Sequence, residues 1–185
     1  MESGVVALPG VIAPRLQGFP PLCGKAATCL ILGTMPGVAS LQAGEYYAHP
    51  RNAFWSIAES LFGVARAEPY AVRVRALELA GIAVWDVLAT CRRRRSLDSD
   101  IEPDSIVAND FHAFLQRNPG IVRICFNGNS ARMLFERYVL PTLSAQQQQI
   151  MRLALPSTSP ANARLSLQQK TRAWAVISDS ATDYS

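Results

Sequence analysis

Ten consecutive positions, 46–55, read YYAHPRNAFW, and eight of them carry a ring, an imidazole, a guanidinium, an amide or a proline. A structural turn needs one or two such residues, so this density points to a site. Within it Asn52 offers both halves of an amide. The carbonyl oxygen can orient a water, and the NH2 group can donate to developing negative charge. An amide is not a full general base, which suits a slow reaction with a good leaving group. Asn52 also stands where it can cap a helix starting near Phe54, and the two roles are compatible. His49 can donate to a phosphate, although bracing its own loop is the ordinary role for it; Tyr46, Phe54 and Trp55 are expected as core anchors.

Four further stretches could join that cluster. Gly33-Thr34-Met35-Pro36-Gly37 is a turn whose backbone N–H groups can line a pocket. Its central Met35 can neither take a proton nor hold water firmly. Asp86 stands alone after an apolar run, where it either accepts from an N–H donor or bonds loop backbone. The segment 156–163, PSTSPANA, is a stiff loop rich in hydroxyls that can bond phosphates. Asn127-Gly128 fits a pocket wall or, preferably, an ordinary strand-to-helix turn. Arg92 to Arg95 form a continuous basic run, most simply a solvated face, yet close in sequence to Asp86.

These residues need a frame. Solid apolar runs at 28–32, 82–85, 121–126 and 151–155 have the pattern of strands buried on both faces. Helical spacing is present at 52–62, 70–80, 109–118, 130–138 and 165–177. The second of these is expected to turn Val72, Ala76, Leu77 and Leu79 inward and Arg73 outward, and the third to be capped by Asn109 or Asp110. Residues 90–105 show no convincing period. Strands alternating with helices imply a parallel sheet with helices packed against it, whose ligand crevice lies beyond the carboxyl ends of the strands. Those ends carry 33–37, Asp86, 127–129 and 156–163. The expected organisation is a loose arm at 1–18, one domain at 19–178 and a frayed tail at 179–185.

Composition sets bounds. The 185 residues suit a single domain, and a 49% hydrophobic content excludes a disordered chain. A net charge of +4 permits a polyanionic partner; 16 of the 18 basic residues are Arg. Four cysteines show neither a CxxC pair nor metal-ligand spacing, so no metal and no disulfide framework are expected. No apolar run reaches the ~18 residues of a membrane helix, and the first residues lack the basic start of a signal peptide. A cytoplasmic monomer is expected.

Taken in order, GTMPG, YYAHPRNAFW, GIAVWDV with SLDSDI, CFNG and LPSTSPANA resemble the uracil-DNA glycosylase superfamily, specifically its hypoxanthine-DNA glycosylase branch (the DNA-deoxyinosine glycosylases). The resemblance spans residues 19–177 and implies an α/β three-layer sandwich with a central, mainly parallel four-stranded sheet. It implies hydrolysis of the N-glycosidic bond of a deaminated base in base-excision repair, without cofactor or metal, on a nucleotide extruded from DNA. By this resemblance Asn52 is catalytic, and Tyr47 stacks on the base. Asp86 then reads the base edge, and Gly33, Thr34 and Met35 line the pocket. Other branches place an Asp or Asn at the Met35 position, whereas the hypoxanthine branch does not. The 156–163 loop is expected to press into the DNA, with Ser157, Thr158 and Ser159 on phosphates and Pro160 to Asn162 as a wedge. Arg51, Arg92 and Arg93 are expected on the DNA backbone, which would draw the protein to the nucleoid. Two alternatives stand beside hypoxanthine: uracil as the main substrate, and a DNA- or nucleotide-binding module that has lost catalysis.

Overall fold

The computed structural model describes residues 13–178. Its centre is the strand β2, Cys29–Gly33, in which all five residues are buried. For counting, β1 is Arg15–Gln17, β3 Ile82–Asp86, β4 Leu88–Arg92, β5 Val107–Ala108, β6 Arg123–Asn127 and β7 Met151–Leu155. The helices are α1 Val38–Ala43, α2 Phe54–Phe62, α3 Tyr70–Leu79, α4 Phe111–Arg117, α5 Asn129–Leu134 and α6 Leu167–Trp174.

β3, β2, β6 and β7 pair in that order as a parallel four-stranded sheet flanked by helices, the α/β frame that the apolar runs imply. The register sets Gly33 beside Asp86 and Leu32 beside Phe126, so the pocket-bearing ends finish level. β7 is one of the two edge strands, and its exposed Met151 and Arg152 reflect that position.

The helices follow their local sequence. Phe54, Trp55, Ile57 and Ala58 bury one face of α2, and Gly63 ends it in the left-handed conformation. Asp110 caps α4 by accepting from the Ala113 N–H, and Phe111 and Phe114 pack on Trp85 with ring centroids 4.9 and 4.8 Å away. Ser166 and Gln169 form a capping box at α6, whose Trp174 indole donates to the Pro156 carbonyl at 2.9 Å.

Three expectations change. In α3 only Leu77 is fully buried, while Val72 and Leu79 are 48% and 75% exposed. Arg73 turns inward instead, its guanidinium 4.3 Å from the Trp55 ring centroid and 3.4 Å from Glu45. A cation–π contact with a charge partner gives that arginine a better resting place than water. Residues 15–17, assigned to a loose arm, form β1, because antiparallel pairing with Thr90 to Arg92 satisfies their backbone. The segment 90–105 likewise contains paired backbone: β1, β4 and β5 make a second, antiparallel sheet of three strands. Such short, half-buried strands carry too little periodicity to be read from sequence. Residues 1–12 of the expected arm and the tail at 179–185 lie outside the described residues.

The four cysteines are free, and Cys29 and Cys125 meet inside the sheet at Sγ–Sγ 3.7 Å. Among the described residues no helix is long and apolar enough to cross a membrane.

Leu30, fully buried in the middle of β2, tests this core. Leu30→Ala is expected to cost ~2–5 kcal/mol through lost burial and a residual cavity. The measurement is the urea unfolding midpoint; an unchanged midpoint would refute the central position of β2.

Candidate active site

A cleft of ≈ 150 Å³ opens at the carboxyl ends of the parallel strands. Among the residues around it are Gly33, Thr34, Met35, Tyr47, Asn52, Asp86, Ser157, Thr158, Ser159 and Pro160, each named above from sequence. His49, Ser96, Asp98 and Asn127 also line it. The fold therefore gathers residues that are more than a hundred positions apart in the chain.

Its floor begins at Gly33. A Cβ there would overlap Asp86 Oδ1 and come within 3.4 Å of the Tyr47 hydroxyl, so the carboxylate lies directly over the end of β2. Asp86 is buried, and its Oδ2 has no hydrogen-bond partner among the described residues. Burial pushes its carboxyl up to about 7, nearby Asp98 adds to the rise, and Arg93 opposes it. Asp86 is therefore divided between acid and anion near neutral pH.

Asp98 was not singled out from sequence, although it lies in the SLDSDI motif. The Thr34 hydroxyl donates to its Oδ2 at 2.9 Å, and Arg93 Nη1 lies 3.8 Å from Oδ1. Burial pushes the Asp98 carboxyl up as well, while Thr34 and Arg93 oppose the shift. The only sequence signal available was its proximity to the basic run.

Tyr47 has φ 57°, a left-handed conformation that is strained for a tyrosine. The strain has a use. Tyr46 points into the core, its hydroxyl 3.2 Å from the Pro20 carbonyl, while Tyr47 is turned to the cleft. One face of the Tyr47 ring stacks on Phe54, with centroids 4.0 Å apart and planes at 23°. Its hydroxyl is buried with no hydrogen-bond partner among the described residues, and burial followed by Asp86 pushes the phenol upward.

The cap position of α2 falls to Ala53, and Asn52, one residue earlier, braces the helix start instead: its Oδ1 accepts from the Phe54 N–H at 3.0 Å. The requirement for an acceptor there also decides which way the amide points. Its NH2 bonds nothing else among the described residues and lies on the cleft lining. Arg51, next in sequence, is exposed, and its backbone N–H donates to His49 Nδ1 at 3.1 Å. His49 thus braces its loop.

Three expected DNA contacts are internal instead. Thr158 is buried, and Asn127 holds it twice, Nδ2 to Oγ1 at 2.9 Å and Oδ1 from the Thr158 N–H at 2.8 Å. The Thr158 carbonyl accepts from the Ala53 N–H at 2.9 Å, so this residue joins the 156–163 loop to the start of α2 and cannot serve a phosphate. Asn162 donates its amide to the Ser157 carbonyl at 3.1 Å and braces the same loop from within. Arg93 is buried and donates Nη2 to the Pro36 carbonyl; a guanidinium placed there balances the carboxylates rather than a phosphate. Arg92 is half-buried in β4 and does not line the cleft. Asn127, preferred above as a turn residue, is instead the last residue of β6 and part of the cleft wall.

Comparison with known proteins identifies the family. The model of the uracil DNA glycosylase superfamily matches residues 20–178. The chain belongs to that superfamily. A hypoxanthine DNA glycosylase of Methanosarcina barkeri (strain Fusaro) is 33% identical over 63% of this chain and 73% of its own length. A hypoxanthine DNA glycosylase of Methanosarcina acetivorans is 33% identical over 69% of this chain and 85% of its own. A solution NMR structure of a Methanosarcina acetivorans protein, assigned provisionally as a uracil DNA glycosylase, superposes with a TM-score of 0.74. It is 30% identical and covers 90% of this chain and 98% of that one. As a member of the uracil DNA glycosylase superfamily the chain is a DNA glycosylase, and DNA is its substrate. Among the described residues no group of acidic, His and Cys side chains could hold a metal ion.

The raised Asp86 carboxyl gives a stability test. Folded Asp86 keeps its proton up to about pH 7, whereas an unfolded one loses it near 3.8, so the folded state binds more protons in between. That contribution is fully present below the unfolded value and is lost as pH rises through about 7. Asp86→Asn should remove it. Thermal melts should then show the variant gaining on the wild type by roughly 1 kcal/mol or more between acid and neutral pH. Parallel Tm–pH curves for the two proteins would contradict the burial of an ionisable Asp86.

Proposed function

We propose that this glycosylase removes hypoxanthine from deoxyinosine in DNA, as a monofunctional enzyme of base-excision repair. The observation that carries the reading is the polar inventory of the cleft: Asn52 offers a free amide NH2 there, while the GTMPG turn contributes the apolar Met35. Resemblance to proteins named hypoxanthine DNA glycosylase supports the choice of base.

Water adds to the sugar C1′ as the C–N bond breaks, and the base departs with its electron pair and takes up the proton that the water releases. Asn52 orients that water through the free lone pair of Oδ1, and its NH2 stabilises the charge that develops. Tyr47, backed by Phe54, offers its open ring face to the extruded base, a contact of ~1–3 kcal/mol. Asp86 accepts from N1–H of hypoxanthine in either protonation state, and when protonated it also donates to the O6 carbonyl. Ser157 and Ser159 meet phosphates, Arg51 adds charge at the rim, and Pro160 wedges into the vacancy. The enzyme works as a monomer on double-stranded DNA of the nucleoid.

Uracil remains the competing substrate for a specific reason. Its N3–H and O4 present Asp86 with the same donor–acceptor edge.

The test uses duplexes carrying deoxyinosine or deoxyuridine, followed by alkaline cleavage of abasic sites. Strand breaks are expected at deoxyinosine, and Asn52→Ala should lower their rate about 100-fold or more. The same change should cost only ~1 kcal/mol of stability through the lost hydrogen bond to the Phe54 N–H. Cleavage confined to deoxyuridine would replace hypoxanthine by uracil, and tight binding without cleavage of either would leave a binding module.

A further inference from the structure

The start of α2 is held from outside the helix. Its cap position, Ala53, contributes no side-chain hydrogen bond. The Ala53 N–H is satisfied instead by the Thr158 carbonyl at 2.9 Å, from a distant part of the chain. That N–H belongs to the peptide plane that begins at Asn52, and a planar peptide moves as one unit. The plane on the other side of Asn52 is anchored locally, its N–H on the His49 carbonyl at 2.8 Å. Fixing both planes fixes the direction in which the Asn52 side chain leaves the backbone. One of the two fixings is supplied by the 156–163 loop.

Thr158 can serve as an anchor because it is itself clamped. Asn127 holds its hydroxyl and its N–H together, at 2.9 and 2.8 Å. Asn127 ends β6, where it stands in register with Leu155 of β7. The loop leaves β7 tight against this strand end. The Gly128 N–H donates to the Leu155 carbonyl at 3.0 Å, and a Cβ on Gly128 would come within 2.9 Å of Ser157 Cβ. On the other side the Trp174 indole holds the Pro156 carbonyl. With its oxygen and an N–H committed to Thr158, the Asn127 amide has less to offer a ligand than its place on the cleft wall suggests.

We infer that Asn127 is a positioning residue for hydrolysis of the glycosidic bond, acting through Thr158 on Asn52. The relay runs from the parallel sheet to the Asn52 amide in three hydrogen bonds, two between Asn127 and Thr158 and one from Ala53 to Thr158. Without the clamp the Thr158 carbonyl loses its fixed place. The Asn52 amide is then held only by His49 and Phe54, neighbours in its own segment that move with it. Misplacing an orienting group by about 1 Å can cost about 100-fold in rate. The inference rests on the catalytic reading of Asn52 and not on which base is removed.

Two quantities test it: the single-turnover cleavage rate at saturating enzyme, on deoxyinosine or deoxyuridine duplexes, and affinity for a duplex carrying a tetrahydrofuran abasic analogue. Asn127→Ala is expected to lose about tenfold or more in rate while its affinity stays within about threefold. Thr158→Val removes the hydroxyl but leaves Asn127 on the cleft wall, and should lose about threefold or more in rate. Thr158→Ser, which keeps the hydroxyl, should recover most of that loss. Asn127→Ala is then combined with Asn52→Ala. A residue that acts through Asn52 has nothing left to position there, so the added change should cost less than about twofold. Equal losses with and without Asn52, a loss of affinity alone, or Thr158→Ser no better than Thr158→Val would overturn the assignment. The Thr158 pair decides by itself should thermal melting show Asn127→Ala unfolded, or Asn52→Ala cleave too slowly to combine. Asn52→Ala cleaving as fast as the wild type would defeat the catalytic reading and this inference together, whereas an additive Asn127 loss defeats the inference alone.

Discussion

Gly33 and Asp86 meet across two adjacent parallel strands, and the cleft depends on that meeting. The register places them side by side, and the missing side chain at Gly33 leaves room for the Asp86 carboxylate to lie over the end of β2. From there the carboxylate reaches the neighbourhood of the Tyr47 hydroxyl, which arrives by an uncommon backbone conformation. Any larger residue at position 33 would displace the acid and close the gap between strand end and tyrosine. The sheet thus determines the chemistry of the cleft, and the loops add to it.

Placing a buried carboxylate, Asp86, near the half-buried Asp98 needs compensation, and the chain supplies it with Arg93. A buried guanidinium beside Asp98 and the Pro36 carbonyl lets one acid carry charge while the other is held nearer neutrality. Arg93 Nε and Nη1 lack hydrogen-bond partners among the described residues, so its value lies in field rather than in contacts. A buried charge of this kind is poorly explained by stability alone. It is better explained by the cleft, where its loss would leave two mutually repelling acids.

Much of this was legible in the chain, and the failures have physical causes. The four buried strands showed as unbroken apolar runs, and the elements that end in Gly33, Asp86, Asn127 and Leu155 could be placed because parallel strands are apolar on both faces. The α4 cap could be narrowed to two residues because it is local chemistry. By contrast, β1, β4 and β5 are short and half-buried, and their pairing is decided by partners distant in sequence. Side-chain direction was equally hidden. Arg93 and Arg94 are neighbours of one type, yet one is buried and the other exposed, as alternation along an extended chain requires. Thr158 sits between two serines that line the cleft beside it, but its backbone carries the joint to α2. Composition cannot distinguish a hydroxyl that holds a loop from one that meets a ligand.

That joint has a mechanical side. With the Ala53 N–H on the Thr158 carbonyl and Asn127 clamped to the same threonine, the Asn52 segment and the Pro160 loop travel as one jaw. These bonds tie the segment that carries the Asn52 amide directly to the loop that carries Pro160. The opposite side is held by side chains instead, the Thr34 hydroxyl on Asp98, the Val38 N–H on Ser96 and Arg93 on the Pro36 carbonyl.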